Sequence, residues 1–329
     1  MVKQVLSNFK IPGDKIVLSL ALIFIFVLFS SLNRNFITSA NIINILLAAS
    51  LTGLVAIGCT YLIIGGQIDL SPGSVIAFSG VFAGILSTNF NMPFPAVVLI
   101  IVVSGTVVGF FNAFMVTKIE LNPFIATLVT QSIFRGFAYI LNDGRAIPIR
   151  DTAFTSFGIH RVMGIPVPVI LLLVLFIIFG IILSKTTFGR SVYVVGGNRD
   201  AARLAGLNPN RITLINYIII GVLSSIGGLM LAARMASGQP AASIGLEFDA
   251  ITAVILGGVS FTGGVGSMFG TVLGVLILQS FNTGLIMVQV PTFWQFVARG
   301  LLLLLALTFD YLRKQNRKKK LLEDSMKNV

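Results

Sequence analysis

Residues 185–211 read KTTFGRSVYVVGGNRDAARLAGLNPNR. Apolar runs flank the stretch, 167–183 before it and 212–233 after it. Both are of the length that crosses a bilayer. The stretch itself carries Lys185, Arg190, Arg199, Arg203 and Arg211 against a single acid, Asp200. A basic loop between two membrane-length runs sets the fold class: a polytopic bundle of membrane helices, with structure in at least one loop. Asn198 suits an N-cap. Asp200 then falls in the first helical turn, where the helix dipole favours an acid. Gly206 can close the helix in a left-handed conformation, and Pro209 follows as a stop. The spacing predicts a short helix over about 199–205, outside the membrane and pinned between two spans.

Composition agrees with that class. Hydrophobic residues make up 56% of the chain and charged residues 10%, which excludes an ordinary soluble domain. The net charge of +12 is spread over the loops between apolar runs, as membrane topology requires, and not over a folded basic surface. No nucleic-acid partner is expected; the solvent partner is membrane lipid. The one cysteine, Cys59, lies inside an apolar run, so the chain alone offers no disulfide and no cysteine metal site. The first residues show no small-residue cleavage site before the first apolar run, so no cleaved signal peptide is expected.

In order, the spans are expected near 16–32, 41–64, 73–87, 93–117, 123–141, 167–184, 212–233, 248–261, 267–287 and 292–312. The second is broken by GGQIDLSPG at 65–73, where Ser71 reads as a cap and Pro72 as the first helical residue. The eighth run is too short for a full crossing; it is tilted, broken or re-entrant within protein. Residues 142–166 form the longest loop on the opposite side from 185–211. Ten crossings with the N-terminus inside put sixteen lysines and arginines on the inner side, including the basic tail 313–329, and five on the outer side, Arg34, Arg145, Arg150, Arg161 and Arg234. The reverse orientation inverts this bias, so N-in and C-in is expected. The chain reads as one transmembrane domain, 1–329.

Glycine spacing predicts close helix crossings. Gly80/Gly84, Gly105/Gly109 and Gly266/Gly270/Gly274 are four apart, which lets backbones approach. The pattern T-x4-G-G, then G-S, then G-x-x-x-G occurs from Thr60 to Gly84 and again from Thr252 to Gly274. It is either a broken-helix repeat of the kind that marks a translocation path or coincidence among glycine-rich helices.

No catalytic set is visible. His160 stands alone in a loop, the acids lie mostly at span ends or in loops, where a surface carboxylate is the plain reading, and no phosphate-cradling Gly-Lys-Ser/Thr loop is present. No metal site and no cofactor are expected in this chain. Polar residues in or at the edges of spans are costly unless they face a cavity or a partner. Gln67, Asp69, Asn112, Asn122, Gln131, Arg135, Gln279 and Asn282 are the candidates for a path, with Gln295 and Arg299 beside them. For each one alone, an interhelical hydrogen bond, or snorkelling for Arg299, is the simpler role. Together they suit a neutral polyhydroxylated solute better than a proton or sodium relay, because no span has a clear central acid. Phe281, Phe293 and Trp294 can stack on a sugar ring or serve an interfacial belt.

Three separated segments now carry a resemblance: GGQIDLSPGS at 65–74, GGNRDAARLAGLNPNRI at 196–212, and FDAITAVILGGVSFTGGVGSMFGTVLGVLIL at 248–278. In this order they resemble the permease subunit of ribose-type ABC sugar importers, over nearly the whole chain. Residues 200–206 also resemble the E-A-A-x-x-x-G loop by which such permeases engage their ATPase, with Asp in place of Glu. The resemblance implies a second permease copy or a related partner permease, a cytosolic ATPase that binds ATP and Mg, an extracytoplasmic sugar-binding protein, and residence in the bacterial inner membrane. It assigns ATPase coupling to Asn198, Arg199, Asp200, Ala201, Ala202, Arg203, Leu204, Ala205 and Gly206. The usual family run G-G-I-D-L-S-V-G differs here by an inserted Gln67 and by Pro72 for valine. The rival class is a self-sufficient secondary carrier or channel, against which the long capped loop and the lack of a central acid both argue.

Overall fold

A computed structural model describes residues 13–327. The chain is helical almost throughout: α1 (Gly13–Leu32), a 3-10 turn (Arg34–Ile37), α2 (Ser39–Ile64), α3 (Pro72–Thr88), α4 (Phe94–Thr117), α5 (Pro123–Ile140), α6 (Thr152–Ile159), α7 (Val167–Lys185), α8 (Thr187–Gly197), α9 (Arg199–Leu204), α10 (Pro209–Met235), α11 (Leu246–Leu256), α12 (Met268–Met287) and α13 (Thr292–Lys327). Two small antiparallel strand pairs complete it. Ile147–Pro148 pairs with Ser237–Gly238, and Arg161–Val162 pairs with Ile165–Pro166.

Among the described residues six helices are long and apolar enough to cross a membrane: α2, α4, α7, α10, α12 and the Thr292–Leu312 part of α13. Ile16–Leu32 and α3 are shorter apolar helices. Two expected crossings fall outside both groups. α5 interrupts its apolar face with Gln131, Ser132 and Arg135, and α11 has only 11 residues. The short eighth run is therefore a half-length helix.

α10 is the central post. It lies against α2, α3, α4 and α6, and its buried side carries Tyr217, Ile220, Gly221, Leu223, Ser225, Gly228 and Ala232. The glycine spacing does what the sequence predicts at Gly105/Gly109 and Gly270/Gly274, whereas Gly84 faces the Ile147 side chain and Gly266 precedes its helix and faces the Val259 and Ile64 side chains. A Cβ on Gly109 would collide with the Tyr217 carbonyl oxygen, and one on Gly221 with the Gly105 carbonyl oxygen. α4 and α10 thus cross backbone to backbone. Gly270 and Gly274 of α12 bear in the same way on Gly257 and Ala253 at the end of α11. The faces turned away are apolar and bare, with Leu20, Phe24 and Val27 on α1, Val174, Ile177 and Ile181 on α7, and Leu301, Leu304 and Leu305 on α13 all exposed. Such surface needs lipid.

The broken-helix echo has a structural counterpart. At the end of α2, the Gly66 N–H donates to Ile63 O and the Gln67 N–H to Leu62 O. At the end of α11, the Gly258 N–H donates to Ile255 O and the Val259 N–H to Val254 O. Gly66 and Gly258 are both left-handed, with φ of 74° and 85°. Each T-x4-G-G run ends its helix with the same Schellman closure.

Candidate coupling site and buried polar residues

The stretch 185–211 holds two helices where one was expected. Thr186 caps α8 by accepting from the Gly189 N–H at 3.1 Å. Gly189, Val192 and Val195 form the buried face of α8. Their three-residue spacing is the signal for this helix, and the glycine and valine content obscures it. One residue, Asn198, separates α8 from α9. Its side chain accepts from the Asp200 and Ala201 N–H groups at 3.0 and 2.9 Å, the predicted cap. At the other end, Gly206 has φ 81° and the Leu207 N–H returns to Ala202 O at 3.0 Å. Pro209 is not a stop: it opens α10, and Asn208 caps that helix.

α9 buries only Ala202. Ala201, Arg203, Ala205 and Gly206 are exposed, and Leu204 is 92% exposed. The arginines are not equivalent. Arg199 donates to Asn210 Oδ1 at 2.5 Å, and Asn210 Nδ2 donates to Thr117 O at 3.5 Å, so α9 is moored to α10 and to the end of α4. Burial, and then the neighbouring Arg203, hold the Arg199 guanidinium below its ordinary pKa, with Glu120 and Asp200 opposing. Arg203 meets Asp200 at 3.9 Å on an open surface. Of the two, Arg203 is the one available to a partner.

Asp69 and Asn112 come together. Asp69 is 2% exposed and accepts from the Ser71 N–H and hydroxyl, each at 2.7 Å, and from Asn112 Nδ2 at 3.3 Å. Asn112 also donates to Ser71 Oγ at 3.1 Å and accepts from the Thr130 hydroxyl at 2.5 Å. The Leu70 N–H donates to Thr127 Oγ1, and the Tyr217 hydroxyl to Ile68 O. Residues 67–71, between α2 and α3, are thus bolted to α4, α5 and α10. Ser71 spends its hydroxyl on Asp69, so it makes no side-chain cap for α3.

A second polar group was missed. Glu247 is 1% exposed, where a surface carboxylate was expected. It accepts from Gln131 Nε2 at 3.0 Å. Its other oxygen lies against Gly73, where a Cβ would collide with it. Arg135 donates to the carbonyls of Pro240 and Ala242, both at 2.8 Å. In the sequence Glu247 stands one residue before the eighth run, 248–261, where it looks like any acid at a span end; the structure starts that helix at Leu246 and so takes Glu247 inside.

The remaining candidates scatter. Gln279 donates to Thr52 Oγ1 at 2.7 Å and joins α12 to α2. Asn282 is buried with Oδ1 unpartnered, and so is Gln67 Oε1. Asn122 is an exposed cap for α5, accepting from the Phe124 N–H. Gln295 donates to Val290 O, and Arg299 reaches Asp249 at 3.6 Å. Phe281 packs on Phe29, whereas Phe293 and Trp294 are exposed at the start of α13. Among the described residues no group of histidines, cysteines and acids is arranged to hold a metal ion.

Residues 41–307 match the family of branched-chain amino acid transport system permease components. The chain is 40% identical over 284 residues to the L-arabinose transport system permease protein AraH of Escherichia coli K12, covering 86% of each. It is 39% identical over 295 residues to the ribose import permease protein RbsC of Bacillus subtilis 168, covering 88% of this chain and 91% of that one. It is 35% identical over 342 aligned positions to the xylose transport system permease protein XylH of Haemophilus influenzae, covering 85% and 91%. No solved structure matches. With the family model spanning most of the chain and these relatives aligned nearly end to end, the chain belongs to this permease-component family and is the membrane-spanning permease subunit of an ABC importer.

Proposed function

We propose that this permease carries a pentose or a related monosaccharide into the cytosol of a bacterium by alternating access, driven by ATP and Mg bound in a separate ATPase subunit. The relatives named for arabinose, ribose and xylose support the solute class. The chain acts as one permease domain, 1–329, with ten crossings, both termini inside, and a second permease copy or a related permease beside it. The clustering of loops supports this path. Thr88, Pro148, Ser237 and Gly238 meet at one end of the bundle. At the other, the Gly264 N–H donates to Ile64 O and Asn210 to Thr117 O, and the stretch 185–208 joins them through Gly196 against Ile64 and Arg199 on Asn210. At the first end, the strand pair joins the loops 142–166 and 236–247 into one face with Arg145, Arg150 and Arg161 exposed. That face receives the sugar-binding protein, whose acidic patches these arginines steer.

The observation that carries the reading is α9: a helix of six residues, capped at both ends, that buries one alanine and presents Ala201, Leu204 and Ala205 outward. A bare Leu204 on a moored helix fits a groove on the ATPase. Leu204→Asp changes no packing within the permease, because the side chain has none to lose. It puts a charge into the groove, at a cost of several kcal/mol. The variant inserts at the wild-type level and loses both ATPase co-purification and pentose uptake. Wild-type uptake by Leu204→Asp would falsify the assignment.

A further inference from the structure

Three Gly-Gly pairs that are far apart in the sequence meet at the end of the bundle next to α9. Gly65-Gly66 follows α2, Gly196-Gly197 ends α8, and Gly263-Gly264 lies in the loop between α11 and α12. The Gly264 N–H donates to Ile64 O at 2.8 Å. Gly196 sits against that same carbonyl, so closely that a Cβ would collide with it, and the same Cβ would lie 2.9 Å from Gly264 N. A Cβ on Gly263 would lie 2.6 Å from Gly196 O and 3.2 Å from Gly66 Cα. The Tyr193 hydroxyl, one turn back on α8, donates to Gly266 O at 2.9 Å. No side chain is interposed, so the surfaces in contact are backbones.

We propose that Gly196 is a positioning residue for coupling, the bearing through which α9 moves the membrane helices. The proposal rests on the coupling role of α9. Asn198 alone stands between Gly197 and α9, so displacement of α9 reaches Gly196 through two residues. Gly196 bears on the end of α2 and on the loop after α11, which are the two chain breaks with the repeated Schellman closure. Beyond the first break lie residues 67–71, bolted to α4, α5 and α10. Beyond the second lies α12. A backbone contact has no rotamers to absorb a displacement of a few tenths of an ångström, so the movement passes to both breaks at once. Side chains at this point would soften the contact.

Gly196 lies within a helix and has no left-handed φ, so Gly196→Ala tests the contact and not backbone strain. Gly197→Ala is the matched control: a Cβ there meets nothing within 4 Å. Each variant is purified with the ATPase and binding protein and reconstituted in vesicles. Pentose uptake and ATP hydrolysis are measured together. Gly196→Ala keeps the ATPase bound and hydrolysing, while uptake per ATP falls at least tenfold. Gly197→Ala stays within twofold of wild type. Tyr193→Phe adds no bulk and loses only the Gly266 bond; it lowers uptake per ATP severalfold, and it decides the matter if Gly196→Ala does not assemble. Wild-type uptake per ATP in an assembled Gly196→Ala, or in Tyr193→Phe where the alanine variant fails, overturns the bearing. Leu204→Asp run alongside separates the two ideas. If it transports normally the coupling role of α9 falls, whereas if it is dead and Gly196→Ala is fully coupled only the bearing falls.

Discussion

Asp69 and Asn112 show how one polar residue in a membrane protein takes its role from another. Each is expensive alone, and the pair shares its cost with Ser71 and Thr130. Asn112→Leu removes two donors from this network and the acceptor of the Thr130 hydroxyl. We expect a loss of about 1–3 kcal/mol, seen as a lower melting temperature of the purified protein in detergent. Thr130→Val costs less, about 0.6 kcal/mol, as interhelical side-chain bonds in membranes do. Equal melting of Asn112→Leu and wild type would show that the network contributes nothing. The sequence marked Asp69 and Asn112 as candidates but gave no sign that they touch. They are 43 residues apart, and only the packing of α4 on the α2–α3 break joins them. Asn122 was marked by the same rule and is an exposed cap, because a polar residue at a span end has two uses that look alike in sequence.

At the scale of the element, α9 is held by its ends. Its six residues are too few to be stable alone, so Asn198, Gly206 and the Arg199–Asn210 bond supply what length does not. Gly206 has φ 81° and open space around it, so a side chain there costs backbone strain and no clash, about 1–2 kcal/mol. Gly206→Val unwinds the end of α9, and we expect weaker ATPase association and at least a severalfold drop in uptake, with normal membrane insertion. Gly206→Asn tolerates the left-handed conformation and stays near wild type. If the two variants behave alike in a pull-down with the ATPase, the conformation of Gly206 is not what matters.

For the whole molecule, the proposed path of ten crossings, to which the charge bias led, puts the 142–166 and 185–211 stretches on opposite sides. Ser156 and Lys118 are exposed, one in each end group, and Cys59 is buried. In a Cys59→Ala background, Ser156→Cys reacts with an impermeant maleimide from outside the cell, and Lys118→Cys reacts only after the membrane is opened. Labelling of both from one side would break the ten-crossing path.

The sequence alone determined the helical membrane class, most helix boundaries to within a few residues, the cap and closure of α9, and the close helix crossings at Gly105/Gly109 and Gly270/Gly274. These follow from local rules of length, hydropathy, capping and small-residue spacing, which act within one element. The tertiary structure decided what the polar and glycine residues touch. Gln131 reaches Glu247 across 116 residues, and Gly264 reaches Ile64 across 200. It also decided that α11 stops after 11 residues and that α8 exists as a separate helix. The physical reason is that a membrane interior sets a similar price on every polar group. Which partner meets that price depends on which helices pack together, and helix packing is not written in any single segment.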